Sequence, residues 1–244
     1  MLRPDQRTRL ATRTRDRQTV EPGPATDTGR LDAVFFDMDG TLLDSERIWE
    51  IALNDLAHEL GGTLSIASRA AMAGAHTSQL VELVHEELAV DADQSRSAEF
   101  LLTRTAELFH TGLKWRPGAQ QLLADVRSVG IPAALVTSSE RALVEIALDT
   151  LGRDYFAVTV CGDEVDQPKP AADPYRQAAQ ILSANTARCV AVEDSPVGVA
   201  AAEAAGCVVL AVPSEVPINP APGRTVRSSL VGTSAANLAS LVRN

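Results

Sequence analysis

Two aspartates separated by one residue follow a short apolar run near the start of the chain. Val34, Phe35 and Phe36 predict a strand buried on both faces, and Asp37 and Asp39 come directly after it. Because ligands bind at the carboxyl edge of an open α/β sheet, we expect both carboxylates at such an edge. A pair this close needs a compensating cation, and Mg²⁺ prefers carboxylates together with phosphate oxygens. An acidic turn that closes a strand explains the same pattern without a metal, so the rest of the chain must decide.

A second predicted strand, at 131–136, ends in hydroxyl groups. Thr137 and Ser138 follow it directly, and a helix pattern begins a few residues later. Hydroxyls and free backbone N–H groups at such a junction can hold phosphate oxygens. The alternative is that Ser139 simply caps the next helix, and the segment by itself favours neither interpretation.

Two more strand ends carry charge. Lys169 lies between prolines in the loop after a predicted strand at 155–160, and Glu193 and Asp194 end a predicted strand at 189–192. A fixed ammonium would neutralise a carboxylate pair and a phosphate, and two further carboxylates would complete a metal site. An exposed loop lysine and a helix-capping aspartate are the simpler explanations of each feature alone. Helix capping does not account for all four strand ends together.

The order of the predicted elements indicates an α/β fold. From about residue 117 onward strands alternate with helices, which is typical of a parallel sheet with helices on both faces. We expect the last strand, at the edge of this sheet, at 225–231. Residues 31–44 supply the first strand of the same unit, whereas 45–116 show helical spacing with no convincing strand. We therefore expect a core from 31–44 and 117–244, interrupted by an all-helical segment. Residues 1–30 are rich in arginine without an apolar periodicity, and we expect a disordered tail there.

Composition excludes some classes of function. The formal net charge is −10, which disfavours general nucleic-acid binding, and no apolar run reaches the roughly 18 residues that a membrane helix needs. Three well-separated cysteines favour reduced, buried thiols and a cytoplasmic location. They stand at Cys161, Cys189 and Cys207. Nothing in the sequence specifies the oligomeric state.

Taken in order, the four motifs resemble those of the haloacid dehalogenase-like phosphohydrolase superfamily. The resemblance covers roughly residues 31–212, and its motifs are Phe36-Asp37-Met38-Asp39-Gly40-Thr41, Val136-Thr137-Ser138-Ser139, Lys169-Pro170 and Val192-Glu193-Asp194-Ser195-Pro196-Val197-Gly198. It implies a Rossmann-like core with a small helical cap at 45–116, as in the β-phosphoglucomutase and phosphoglycolate phosphatase branch.

The resemblance also implies roles for individual residues. Asp37 would be the nucleophile that forms an aspartyl-phosphate, and Asp39 would be the general acid and base. Mg²⁺ would be held by Asp37, the backbone carbonyl of Asp39 and Asp194, with Glu193 helping through a water. The phosphoryl oxygens would be held by Thr137, the Ser138 amide and Lys169.

Two departures from the mutases favour a phosphatase. Trp49 stands where β-phosphoglucomutases carry a histidine, and 74–77 lacks their phosphate-binding arginine. We therefore expect a Mg²⁺-dependent phosphatase for a small phosphorylated metabolite, with a sugar-phosphate mutase and a non-catalytic binding module as alternatives. His76 and Arg116 are candidates for substrate contact, although a solvated loop residue explains each, and we expect Trp49 to pack between cap and core.

Overall fold

The computed structural model describes residues 31–65, 72 and 74–242. Its centre is a six-stranded sheet in the order β3-β2-β1-β4-β5-β6, and every neighbouring pair is parallel. The strands are β1 (Ala33–Phe36), β2 (Ala133–Val136), β3 (Val158–Val160), β4 (Cys189–Glu193), β5 (Val208–Ala211) and β6 (Arg224–Val226). The tail expected at 1–30 lies outside the described residues.

Both faces of the sheet are covered by helices. In β1, Val34 and Phe36 point into one apolar cluster and Ala33 and Phe35 into another, because successive side chains alternate across a strand. Three helices that flank the sheet contribute to the first cluster, together with Phe109 from the segment between β1 and β2, and two helices contribute to the second. These helices are α4 (Ala119–Ser128), α5 (Arg141–Leu151) and α8 (Ala235–Leu241) on one face, and α6 (Asp173–Leu182) and α7 (Pro196–Ala204) on the other. The predicted α/β, Rossmann-like fold class is confirmed.

Within the residues that the structure describes, three helices of defined bounds lie between β1 and α4, and their buried side chains form a further apolar cluster. The helices are α1 (Glu46–Glu59), α2 (Thr77–Leu88) and α3 (Gln94–His110), and the described residues between 63 and 113 include no strand. Leu53 and Leu56 of α1 meet Leu80 of α2 and Leu101 of α3 in this cluster. The helical character of the segment agrees with the sequence, whereas the domain bounds at 45 and 116 stay a prediction.

Several predicted element bounds were wrong. The strand expected at 155–160 is only Val158–Val160, because the chain after Gly152 (φ 84°) first makes a 3₁₀ turn over Arg153–Tyr155. The edge strand expected at 225–231 is Arg224–Val226. Beyond Val226 the chain leaves the sheet, and the Ser229 hydroxyl donates to the Pro117 carbonyl.

The strand order explains why polar residues meet at one place. β1 lies between β2 and β4, so the chain leaves β1 toward one side of the sheet and returns to its other side. Ligands bind at such a switch point, outside the carboxyl ends of the strands. The residues that follow β1, β2 and β4 are therefore neighbours in space.

Candidate active site

Asp37 follows β1 and stays tied to the sheet, because its N–H donates to the Val192 carbonyl of β4 at 3.0 Å. The turn after it needs a glycine. Gly40 has a φ of 74°, and a Cβ on this residue would lie 2.1 Å from Oδ2 of Asp194. Any larger residue would thus strain the backbone and push on a neighbouring carboxylate.

Lys169 is buried beneath these carboxylates and uses all three of its N–H donors. Its Nζ donates to Asp37 Oδ1 at 2.8 Å, to Glu193 Oε1 at 2.6 Å and to the Val136 carbonyl at 2.9 Å. Burial lowers the pKa of Lys169, but the charges of Asp37 and Glu193 outweigh this effect and raise it. Lys169 therefore remains an ammonium, and the alternative of an exposed loop lysine is wrong.

Glu193 anchors this ammonium. Its Oε1 accepts from Lys169 and from the Tyr175 hydroxyl, the latter at 2.5 Å, and its Oε2 accepts from the Asp194 N–H at 3.2 Å. The side chain is wholly buried, and Gly198 packs so closely that a Cβ there would lie 2.1 Å from the carboxyl carbon. Sequence reasoning missed Tyr175, which occupies the buried side of α6 as an ordinary core residue would.

Three carboxylates form what we call the acidic cluster: Asp37, Glu193 and Asp194. Each contributes an oxygen, all these oxygens lie within 4.8 Å of one another, and all three residues are buried. Burial, together with the charges of Asp37 and Glu193, raises the pKa of Asp194 well above its usual value. An all-oxygen set of buried, mutually repelling carboxylates fits a hard divalent cation such as Mg²⁺.

Asp39 lies beside the acidic cluster and accepts three hydrogen bonds. Its Oδ1 accepts from Ser45 Oγ at 2.6 Å and from Trp49 Nε1 at 3.0 Å, and its Oδ2 accepts from Ser139 Oγ at 2.6 Å. Burial raises the pKa of Asp39, while the three donors partly offset that effect. Its environment is therefore suited to a carboxyl group that both gives and takes a proton.

The donors to Asp39 correct one sequence interpretation. The alternative in which Ser139 caps the next helix is wrong, because α5 begins after Glu140 and the Ser139 hydroxyl donates to Asp39. Ser45 stands at the N-cap of α1, but its side chain donates to Asp39 and makes no capping bond. Trp49 does pack between cap and core clusters, as expected, and in addition donates to Asp39. Capping signals act within a few residues, so they could not reveal these longer contacts.

The loop after β2 faces the same space. The Thr137 hydroxyl accepts from the Ser139 N–H at 3.0 Å, and the Ser138 hydroxyl donates to the Gly74 carbonyl at 3.0 Å. Gly74 belongs to the helical segment and approaches Ser195 so closely that a Cβ on it would lie 2.5 Å from the Ser195 hydroxyl. The helical segment is thus in direct contact with the core around the site.

A cavity of about 540 Å³ opens above these groups, which is an ordinary size for a small-molecule site. Asp37, Asp39, Thr137, Ser138 and Lys169 line it together with Asp194. Its outer wall mixes apolar and acidic side chains, including Trp49, Glu46, Glu50, Leu53, Leu80 and Glu215.

His76 and Arg116 do not line this cavity. His76 caps α2, where its Nδ1 accepts from the Gln79 N–H at 3.4 Å, and burial lowers its pKa. Arg116 forms an ion pair with Asp44 at 3.8 Å. Both side chains therefore have local structural partners, and their proposed contact with substrate stays a prediction.

Comparison with known proteins identifies the family to which this chain belongs. The family model described as haloacid dehalogenase-like hydrolase matches residues 31–206, so the chain belongs to that family. None of the helices in the described part of the chain has both the length and the apolar character needed to cross a membrane.

Individual relatives narrow the class. The chain is 34% identical to hexitol phosphatase A of Escherichia coli K12 over 191 residues, which covers 77% of this chain and 87% of the relative. It is 32% identical to a phosphoglycolate phosphatase of Neisseria meningitidis over 190 residues, covering 75% and 80%. Its fold matches a β-phosphoglucomutase structure from Clostridium difficile with a TM-score of 0.78 at 21% identity, covering 87% and 97%. The chain is thus a phosphatase of the haloacid dehalogenase-like family, which confirms the expected enzyme class.

Proposed function

We propose that this chain is a Mg²⁺-dependent phosphatase that hydrolyses a small phosphorylated metabolite, a phosphosugar or a similar phosphomonoester. The observation that carries the proposal is the placement of Lys169, whose buried ammonium joins Asp37 to Glu193 on the floor of the cavity. Such a fixed cation holds a carboxylate nucleophile and a phosphoryl group together without reorganisation during the reaction.

In the first step Asp37 attacks the phosphorus, and the bond from phosphorus to the leaving oxygen breaks. Asp39 gives its proton to that leaving oxygen, and the products are an alcohol and an aspartyl-phosphate on Asp37. The three donors around Asp39 support this role because they hold its carboxyl group beside the cavity. The Lys169 contact at 2.8 Å supports the nucleophile assignment because it fixes the Asp37 carboxylate.

In the second step water attacks the phosphorus of the aspartyl-phosphate. Asp39, now a carboxylate, takes a proton from that water, and the Asp37 carboxylate leaves with the electron pair. Inorganic phosphate is released and both aspartates return to their starting states. Thr137 and the Ser138 amide hold the phosphoryl oxygens throughout, and the nearby Lys169 ammonium neutralises their charge, as the position of all three on the cavity wall supports.

Mg²⁺ would be held by carboxylate oxygens of Asp37 and Asp194 and by the Asp39 carbonyl, where it would neutralise negative charge on the phosphoryl group. Glu193 is suited only to an indirect part, because it is wholly buried and, unlike Asp37 and Asp194, does not line the cavity. The raised pKa of Asp194 supports the site, since a cation would compensate the charge that burial disfavours.

The wall of the cavity supports hydrolysis rather than mutase chemistry. A mutase must also hold a second phosphate on its bisphosphate intermediate. Among the cavity-lining residues of the described chain, Lys169 is the one cation, and it is committed to the acidic cluster. The acidic residues of the outer wall suit a neutral polyhydroxyl leaving group better than a second anion.

We place the enzyme in the cytoplasm. All three cysteines are free and buried, and burial raises the pKa of each thiol to about 12. Unreactive, unpaired thiols are typical of a reducing compartment.

The test is a phosphatase assay over a panel of hexitol, sugar and glycolate phosphates with Mg²⁺. The wild-type chain should release phosphate from at least one of these substrates and from p-nitrophenyl phosphate. Asp37→Asn keeps the size of the side chain but removes its nucleophilic charge, so it should abolish turnover. Full activity in that variant would rule out Asp37 as the nucleophile. Interconversion of hexose 1- and 6-phosphates with little phosphate release would instead support the mutase.

A further inference from the structure

The indole of Trp49 links the helical segment to the proposed general acid. Trp49 lies on α1 and packs against the apolar cluster of the helical segment and against one cluster of the core. Its Nε1 donates to Oδ1 of Asp39 at 3.0 Å. Because packing on both sides fixes the ring, the N–H has a defined direction.

The three donors around Asp39 differ in what they can do. The hydroxyls of Ser45 and Ser139 can either donate or accept a hydrogen bond, whereas an indole N–H can only donate. Oδ1 of Asp39 accepts hydrogen bonds from Ser45 and Trp49, whereas Oδ2 accepts one from Ser139. A proton on Oδ1 would lie against the Trp49 N–H and leave that donor without a good acceptor. The proton of the acid form is therefore favoured on Oδ2, where the hydroxyl of Ser139 can rotate to suit.

We infer that Trp49 is a positioning residue for Asp39: its N–H fixes the rotation of the carboxyl group and directs the transferable proton to Oδ2. This inference rests on the proposed function. In the first step that proton moves from Oδ2 to the leaving oxygen while Asp37 bonds to phosphorus.

The experiment compares Trp49→Phe with wild type on substituted phenyl phosphates whose phenols differ in acidity. The value of kcat/KM reports steps up to release of the phenol, which is where the general acid acts. A well-placed acid makes the rate nearly independent of phenol acidity, because it protonates the leaving oxygen. For Trp49→Phe we expect a loss of about 10- to 100-fold on the least acidic phenol, as for one hydrogen bond to a charged group. With p-nitrophenyl phosphate we expect a loss below about threefold, since that leaving group needs little protonation.

Two further variants separate positioning from packing. Trp49→His keeps an N–H donor in the same place. The dependence of its kcat/KM on phenol acidity should therefore return toward that of wild type. Leu53→Ala alters the same cavity wall one turn along α1 without a contact to Asp39, and it should lower all rates by a similar factor.

The inference is overturned if Trp49→Phe lowers kcat/KM by the same factor for every phenol of the series. It is also overturned if kcat/KM depends on phenol acidity as steeply in Trp49→His as in Trp49→Phe. Circular dichroism establishes whether each variant is folded. If Trp49→Phe does not fold, the comparison of Trp49→His with wild type still tests the inference. A wild-type chain that hydrolyses none of the phenyl phosphates refutes the proposed function itself. That result is distinct from the failure of the inference alone, in which the wild type is active and Trp49→Phe lowers the rates on all phenols by the same factor.

Discussion

Mg²⁺ should raise the melting temperature of the metal-free protein strongly near pH 7.5 and weakly near pH 5. The added Mg²⁺ would bind at the acidic cluster, in which carboxylate oxygens of three buried residues lie within 4.8 Å of one another. At that distance two unit charges repel by about 3 kcal/mol when the effective dielectric constant is about 20. Lys169 pairs with Asp37 and Glu193, so Asp194 is the member whose charge a bound cation would compensate.

The sign of the pH effect follows from the pKa of Asp194, which is raised well above the ordinary aspartate value of 3.8. Above that value the unfolded chain has released a proton that the metal-free folded protein still holds. The free energy of unfolding of the metal-free protein therefore falls as pH rises through this window. Mg²⁺ needs the ionised carboxylate, so protons compete with it at low pH.

A Mg²⁺ concentration 100-fold above Kd adds about 2.7 kcal/mol to the free energy of unfolding, which is similar to the relief of one repelling pair of charges. For a chain of this size that corresponds to roughly 5–11 °C in Tm.

Thermal unfolding followed by circular dichroism, with and without Mg²⁺ at the two pH values, measures this shift. The matched control is Asp194→Asn, which removes the charge but keeps the shape. Its metal-free form should be at least as stable as wild type near pH 7.5, and its Mg²⁺ response should fall below about 2 °C. A Tm that Mg²⁺ leaves unchanged in wild type, or a full response in Asp194→Asn, would refute the assignment of the metal site.

Three other substitutions test separate parts of the site. Asp39→Asn should lower kcat by about 10²–10⁴-fold with little change in Tm, and a rate near wild type would exclude it as the general acid and base. Tyr175→Phe removes the hydroxyl donor to Glu193 and should cost about 1–3 kcal/mol in urea unfolding, with a lower kcat; an unchanged unfolding midpoint would contradict this. Gly40→Ala should lose more than about 100-fold in kcat/KM because its Cβ would collide with the acidic cluster, whereas Gly61→Ala has a similar φ with open space around it and should keep full activity. Equal activities of the two alanine variants would show that the collision is relieved.

Much of the fold could be predicted because the signals are local. The apolar run of β1 and the alternation of strands with helices after residue 117 specify a parallel sheet, and the structure has that sheet. Element bounds were less accurate at the edges, where β3 and β6 are three residues each. Short edge strands bury fewer side chains, so their apolar pattern is weak.

The site could be predicted in outline but not in its supporting contacts. The structure brings Asp37, Lys169 and Asp194 together, as the sequence predicted, because each follows an element whose end lies at the same edge of the sheet; their chemical roles stay predictions. Trp49 and Tyr175 were not given their polar roles, since an aromatic residue at helical spacing is explained equally well by packing. Their partners lie 10 and 18 residues away in the chain, beyond the range of local sequence patterns.

The most direct test of the mechanism is to trap the phosphoryl group on Asp37. A single turnover with Mg²⁺ and an active substrate is stopped with acid within milliseconds, and the peptide that contains Asp37 is analysed by mass spectrometry. The mechanism predicts a phosphate on that peptide, converted by borohydride to homoserine at position 37. Phosphate release at the full rate without any labelled Asp37 peptide, in rapid-quench samples spanning the turnover, would contradict it.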